Sequence, residues 1–268
     1  ADEVRARIAA EQEAARVLRE ANPEPQPRSE RFIGRCPICL EDWDVNDMPI
    51  IRFCCCQLVC PSCEERIPDE LPCPLCRTPA PRDFAEYLAR LRRHVENEQP
   101  EAITYLAQSY VNGSHYLVKS GKKAAKLYKR AMELGNTDAM YHLGYLCSAG
   151  YGVKRDTKKA EKLWKKAADR GHAGAQLVFG LSIQNQAHAT SGIIGEQYDE
   201  AFRYFSLAAD KGHAAAMWKV GGCYEGGLAG GYGVEADLDE AKRWYARAAA
   251  RGYEEAKKDL ARLAQSDP

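Results

Sequence analysis

Apolar positions after Pro81 return at helical intervals, and one arrangement of them recurs along the chain. Ala102, Ala139, Ala175, Ala216 and Ala256 are spaced 37, 36, 41 and 40 residues apart. Four residues after each stands Leu106, Leu143, Phe179, Val220 or Leu260, and the next residue is small every time: Ala107, Gly144, Gly180, Gly221, Ala261. Four beyond the apolar position come Tyr110, Cys147, Ile183 and Tyr224. A spacing of four keeps these on one helix face, and the small residue lets a neighbouring helix approach closely. A second helix follows in each unit, with one aromatic between two alanines: Ala124, Tyr128, Ala131; Ala160, Trp164, Ala167; Ala201, Phe205, Ala208; Ala241, Tyr245, Ala248. Four residues after the last alanine comes Gly135, Gly171, Gly212 or Gly252, where glycine ends a helix in the left-handed conformation. Each unit is therefore predicted as helix, variable loop, helix and tight turn.

Three shorter segments precede the repeats. Residues 2–21, rich in Ala, Arg and Glu, predict a helix whose apolar stripe (Val4, Ile8, Leu18) is weak. It reads as an exposed helix, with a partner-binding helix as the alternative. Asn22 to Pro27 is a Pro-rich spacer that cannot be helical. Residues 82–97 predict a helix that caps the first repeat. The domain boundaries follow: 1–30, 31–81, 82–99 and 100–268.

Cysteine placement changes this picture. Nine of the 11 cysteines fall between Cys36 and Cys76, as three Cys-x-x-Cys pairs (Cys36/Cys39, Cys60/Cys63, Cys73/Cys76) and the cluster Cys54, Cys55, Cys56. The start of the chain lacks the apolar stretch of a secretory signal, so a disulfide scaffold is not expected. Zinc takes four nitrogen or sulfur ligands, and a Cys-x-x-Cys knuckle supplies two at once; eight thiolates imply two ions. Alternate residues of an extended chain point the same way, which favours Cys54 with Cys56 as the pair from the cluster. Cys147 and Cys223 read as buried helix residues.

Two resemblances follow from these motifs. The stretches GYGVKRDTKKAEKLWKKAADRGH (150–172) and GYGVEADLDEAKRWYARAAARGY (231–253) resemble Sel-one-like repeats, relatives of the tetratricopeptide repeat. Four units cover 100–253 and 254–265 resembles a fifth first helix; in the third unit the loop Asn185 to Glu196 lacks the Gly-Tyr-Gly-Val turn. The cysteine order resembles a RING domain, which implies Cys36, Cys39, Cys60 and Cys63 around one zinc ion and two of Cys54 to Cys56 with Cys73 and Cys76 around the other. Gln57 stands where a RING usually has histidine, so the second site is all-cysteine. Similarity to algal proteins that join such a module to Sel-one-like repeats favours Cys54 with Cys55, leaving Cys56 as the alternative. The implied fold is mostly α, an α-solenoid of helix-turn-helix repeats with a small N-terminal two-zinc RING-like domain.

The same resemblance implies a ubiquitin ligase. Ile38, Pro74 and Leu75 would contact a ubiquitin-conjugating enzyme, Arg77 would hydrogen-bond both that enzyme and ubiquitin, and the repeats would hold a protein or peptide substrate. Such a ligase works by positioning, so no catalytic side chain is expected. The alternative is a non-enzymatic adaptor with a structural zinc module. Residues 31–81 carry five basic and eight acidic residues, a net charge of −3, which argues against nucleic acid. Overall charge is zero and no apolar run reaches the length of a membrane span, so no membrane role is expected and the location is read as intracellular, cytoplasmic or nuclear. The glycines at 226–227 and 230–231 precede no Gly-Lys-Ser/Thr, and the five lysines between Lys158 and Lys166 read as a solvated face.

A module this small has little apolar core of its own, so its fold should depend on metal. Elemental analysis is expected to find close to two zinc ions per chain. Chelation should unfold 31–81 and leave most of the far-ultraviolet helical signal; a ratio near one contradicts the cross-brace arrangement.

Overall fold

The computed structural model describes residues 36, 38, 50–52, 55, 57–59, 61–67, 72–189, 196–227 and 234–265. The helix expected over 2–21 and the spacer at 22–27 lie outside these residues. Two short strands come first: β1 (Ile50–Arg52) pairs antiparallel with β2 (Gln57–Val59), Ile50 opposite Val59 and Arg52 opposite Gln57. Helix α1 (Pro61–Glu65) follows directly, with proline at its first position, where its fixed φ suits a helix and its missing N–H costs nothing.

The helical part divides into two compact units at Arg170/Gly171. The first unit carries α2 (Phe84–Glu96), α3 (Pro100–Asn112), α4 (Gly121–Glu133), α5 (Thr137–Ala149) and α6 (Thr157–Asp169), each packed on the next. The second carries α7 (Ala173–Ala189), α8 (Glu196–Asp210), α9 (Ala214–Gly226), α10 (Leu238–Ala250) and α11 (Glu254–Gln265), again each on the next. Two repeats therefore lie in each unit, with the predicted cap α2 before the first and the closing helix α11 after the last. No helix among the described residues is long and apolar enough to cross a membrane.

The repeated residues form the cores. All five alanines of the first-helix series are fully buried, and Tyr128, Trp164, Phe205 and Tyr245 are buried between their flanking alanines. Burying one such ring removes roughly 150–250 Å² from water, about 4–6 kcal/mol of gross stabilisation before entropy is counted. The small position is the socket for that ring. A Cβ on Gly180 would lie 2.7 Å from Phe205 Cε1 and 3.2 Å from the Ala201 carbonyl; one on Gly221 would lie 2.7 Å from Tyr245 Cε1 and 3.3 Å from the Ala241 carbonyl. One on Gly144 would overlap the Trp164 indole. Glycine, aromatic and alanine recur together in the second, third and fourth helix pairs because they are one packing device there; the first pair has Ala107 at the small position. In α11 the equivalent small residue, Ala261, is exposed.

Helix ends follow the local sequence. Ser120, Asn136, Asp156 and Asp237 accept a hydrogen bond from the backbone N–H three residues on. His172 does the same through Nδ1, 2.9 Å from the Ala175 nitrogen, so this histidine is a cap. The third repeat differs from expectation. Residues 185–189, read as loop from the sequence, continue α7, which runs for 17 residues. In the other repeats the first helix stops at Gly113, Gly150 or Gly227; Gln186, a good helix former, stands at that position in the third. The lysine face on α6 is exposed, and Lys165 pairs with Asp169 at 3.0 Å.

The socket makes a direct prediction. Gly221→Ala should destabilise by roughly 1–3 kcal/mol through overpacking. Gly222→Ala, whose Cβ would meet only Tyr245 Oη at 3.6 Å, should be neutral or stabilising. Denaturant midpoints of the two variants check this, and a larger loss at Gly222 contradicts the packing account.

Candidate functional site

The last cysteine pair is folded by its own backbone. Pro74 fixes φ inside the turn, the Arg77 N–H donates to the Cys73 carbonyl at 2.7 Å, and the Cys73 N–H donates to the Thr78 carbonyl at 2.9 Å. Closing the loop this way puts Arg77 at φ +59° and turns both sulfurs to one side. Cys55 sits in the connection between β1 and β2, and its sulfur joins them. The Sγ atoms of Cys55, Cys73 and Cys76 all lie within 4.8 Å of one another, with Cys55 and Cys73 at 3.9 Å. A disulfide needs about 2.05 Å. With zinc–sulfur bonds of about 2.3 Å, thiolates at two corners of a tetrahedron stand roughly 3.8 Å apart, so this donor set fits zinc in chemistry and in spacing. Cys76 Sγ also lies 3.2 Å from Thr78 Oγ1, a hydroxyl that can hydrogen-bond a metal-bound thiolate.

The first pair belongs elsewhere. Cys36 is fully buried beside Val59 and Cys63, the latter on α1, and Ile38 and Leu75 pack half-buried against that cluster. Cys36 of the first pair and Cys63 of the second thus share one cluster, while Cys55 between the strands meets Cys73 and Cys76 of the last pair. Cys39, Cys54, Cys56 and Cys60 lie outside the described residues. Pro74 and Arg77 are exposed. None of Cys36, Cys55, Cys63, Cys73, Cys76, Cys147 and Cys223 is in a disulfide. Cys147 and Cys223 are buried in α5 and α9, and burial raises both thiol pKa values.

A polar and aromatic joint connects this module to the first repeat. Arg90 on α2 donates to the Pro79 carbonyl at 2.7 Å and pairs with Glu86 at 2.6 Å. The Arg82 N–H donates to Glu86 at 2.9 Å, and these two bonds hold the Glu86 carboxyl below its usual pKa. On the other side of α2, Phe84 and Tyr87 stack on His115 with ring centroids 5.4 and 5.2 Å away. His115 Nε2 lies 3.2 Å from Tyr105 Oη and 3.4 Å from Tyr87 Oη, and its Nδ1 3.1 Å from Ser109 Oγ. Burial lowers the His115 pKa and raises those of Tyr87 and Tyr105, so the cluster is neutral at pH 7. No sequence pattern singles out His115. The available signal is that Ser114-His115-Tyr116 replaces the Gly-Tyr-Gly-Val turn, and that His115 and Tyr116 adopt the positive φ of a glycine.

Comparison with known proteins bears on the helical part. The Sel1 repeat model matches residues 100–136, 137–172, 187–213 and 214–253. Over 183 residues the chain is 30% identical to chitin synthase regulatory factor 3 of Schizosaccharomyces pombe, spanning 68% of this chain and 19% of that protein. Over 173 residues it is 28% identical to the chitin synthase regulator SKT5 of Malassezia restricta, spanning 64% and 12%. A Sel1 repeat protein from Oxalobacter formigenes superposes with a TM-score of 0.54 at 27% identity, covering 65% of this chain and 68% of that one. The chain spans less than a fifth of either curated relative.

The sulfur geometry generates a test of the cysteine cluster. In zinc-loaded protein, Cys55→Ala is expected to lose one of two ions, and Cys56→Ala to keep both. The reverse pattern in elemental analysis would show that Cys56, not Cys55, completes the set with Cys73 and Cys76.

Proposed function

We propose that this chain, which belongs to the Sel1 repeat family, is a protein-interaction scaffold whose repeats hold a protein partner while its cysteine module, built on two zinc ions, docks a ubiquitin-conjugating enzyme. The interleaving of the cysteines supports the second part: Cys36 clusters with Cys63, and Cys55 with Cys73 and Cys76. Cys36, Cys39, Cys60 and Cys63 would hold one ion; Cys54, Cys55, Cys73 and Cys76 the other. The ions supply structure and take no part in bond making. Pro74 and Arg77 stand exposed beside the second site, and the backbone of the knuckle sets where Arg77 leaves the chain. From there its guanidinium offers charge-assisted hydrogen bonds to the docked enzyme and its ubiquitin, which hold the thioester in a reactive orientation.

A second reading has its own support. Ile38 and Leu75 spend part of their apolar surface on Val59 and the first cysteine cluster, and the two curated relatives are named as regulators. In that reading the module is a structural clamp and the chain a regulatory adaptor.

Autoubiquitination with a panel of conjugating enzymes separates the two. Under the ligase reading wild type is active, and Arg77→Ala lowers transfer about tenfold, the loss of a charge-assisted contact, while zinc content stays at two. Wild type that holds two zinc ions and is inactive with every enzyme tried supports the adaptor. Activity untouched by Arg77→Ala removes the role given to Arg77.

A further inference from the structure

A cleft of about 90 Å³ opens in the second unit, lined by Gln184 of α7, Trp218, Lys219, Gly222 and Cys223 of α9, and Tyr245 of α10. Its aromatic walls are fixed from behind. The Trp218 indole N–H donates to Asp259 Oδ2 at 2.7 Å, and the ring lies 5.5 Å from that of Tyr253. The Tyr245 hydroxyl donates to Glu225 Oε2 at 2.8 Å. Both carboxylates behind the walls are engaged by one cation: Arg262 lies 2.8 Å from Glu225 and 3.2 Å from Asp259.

Lys219 has no such counterpart. Its Nζ stands 4.7 Å from the centroid of the Trp218 ring, and among the described residues no carboxylate pairs with it. The Cys223 thiol beside it is pushed up to about 12 by burial, stays protonated, and is no counter-ion. Burial also lowers the Lys219 pKa, a cost that an incoming negative charge would relieve. Gln184 is only 8% exposed and lines the cleft. Gly222 leaves the floor open, since even a Cβ there would meet only Tyr245 Oη. The cleft thus holds one cation and one amide donor between rigid aromatic faces, with room for a single side chain. A basic side chain would meet Lys219; a purely apolar one would leave Lys219 without a counter-charge.

We propose that this cleft is a specificity pocket of the repeat scaffold and takes an acidic side chain, aspartate or glutamate, from an extended segment of the protein partner. The carboxylate meets Lys219 Nζ and the Gln184 amide, and its aliphatic stem lies between Trp218 and Tyr245. The proposal rests on the repeats being a protein-binding scaffold.

The test uses the full chain and a displayed library of random linear peptides with amidated counterparts made for the enriched sequences. Enriched peptides should carry an acidic residue whose replacement by its amide weakens binding about tenfold by calorimetry. Lys219→Met, checked for an unchanged thermal midpoint, should weaken the acidic peptide by the same factor, and the two changes together should cost no more than either alone. Lys219→Arg should retain part of the affinity. Enriched peptides without an acid, an acid whose effect is equally large in Lys219→Met, or a loss that follows C-terminal amidation instead, each overturn the pocket and leave the scaffold standing. No enrichment at all overturns both.

Discussion

Tyr245 lies so close to Gly221 that a Cβ placed between them would sit 2.7 Å from the ring, and Phe205 on Gly180 and Trp164 on Gly144 repeat the arrangement. A two-helix unit cannot surround a large side chain on all sides, so it buries one flat ring against a helix with a gap in its side-chain surface. Everything else in the unit serves that contact. Alanines on both sides of the ring let the second helix come within reach of the first, and the turn glycines, at φ between +81° and +92° in all four units, bring the chain back for the next pair.

The cysteine module works by the opposite means. Its described apolar cluster is Cys36, Val59 and Cys63 with Ile38 and Leu75 against it, far less than an independent domain needs. Two metal sites would replace a core, and the interleaving of their ligands would tie a short hairpin, a single helical turn and two knuckles into one body. Arg90 then passes that body's position on to α2, and the neutral His115 cluster passes it on to α3. The connection between the cysteine module and the first repeat is therefore built from directional bonds and stacked rings.

The helical half was largely legible because its packing is periodic: when residues far apart in sequence do the same job, their spacing reports it. The exception was Gln186, where the missing glycine lets α7 run on through residues 185–189, a local change whose result depends on helix propensity alone. Paired cysteines are a local signal in the sequence, and the structure brings three of the cysteines, Cys55, Cys73 and Cys76, within reach of one another. The sequence offers no local signal for choosing among Cys54, Cys55 and Cys56, because neighbouring residues differ only in the direction their sulfurs take, and of the three only Cys55 lies among the described residues. The His115 cluster and the Lys219 cleft were invisible for another reason. Each gathers residues from three segments, and no repeat spacing links Phe84 to His115 or Gln184 to Tyr245.

Each ring and its socket belong to the same helix pair, and contact between helices is more extensive within a pair than between pairs. A unit therefore carries its own core with it when its gene segment is copied. Duplication or loss of one such segment lengthens or shortens the stack without leaving an orphaned cavity, and the copied surface is then free to diverge. The loops already differ in this way: the four units share their rings and alanines, while their first loops read Ser-His-Tyr, Gly-Tyr-Gly-Val, a glycine-free helical extension, and Gly-Tyr-Gly-Val behind an inserted glycine run. A protein assembled on these terms can change its surface without rebuilding its core.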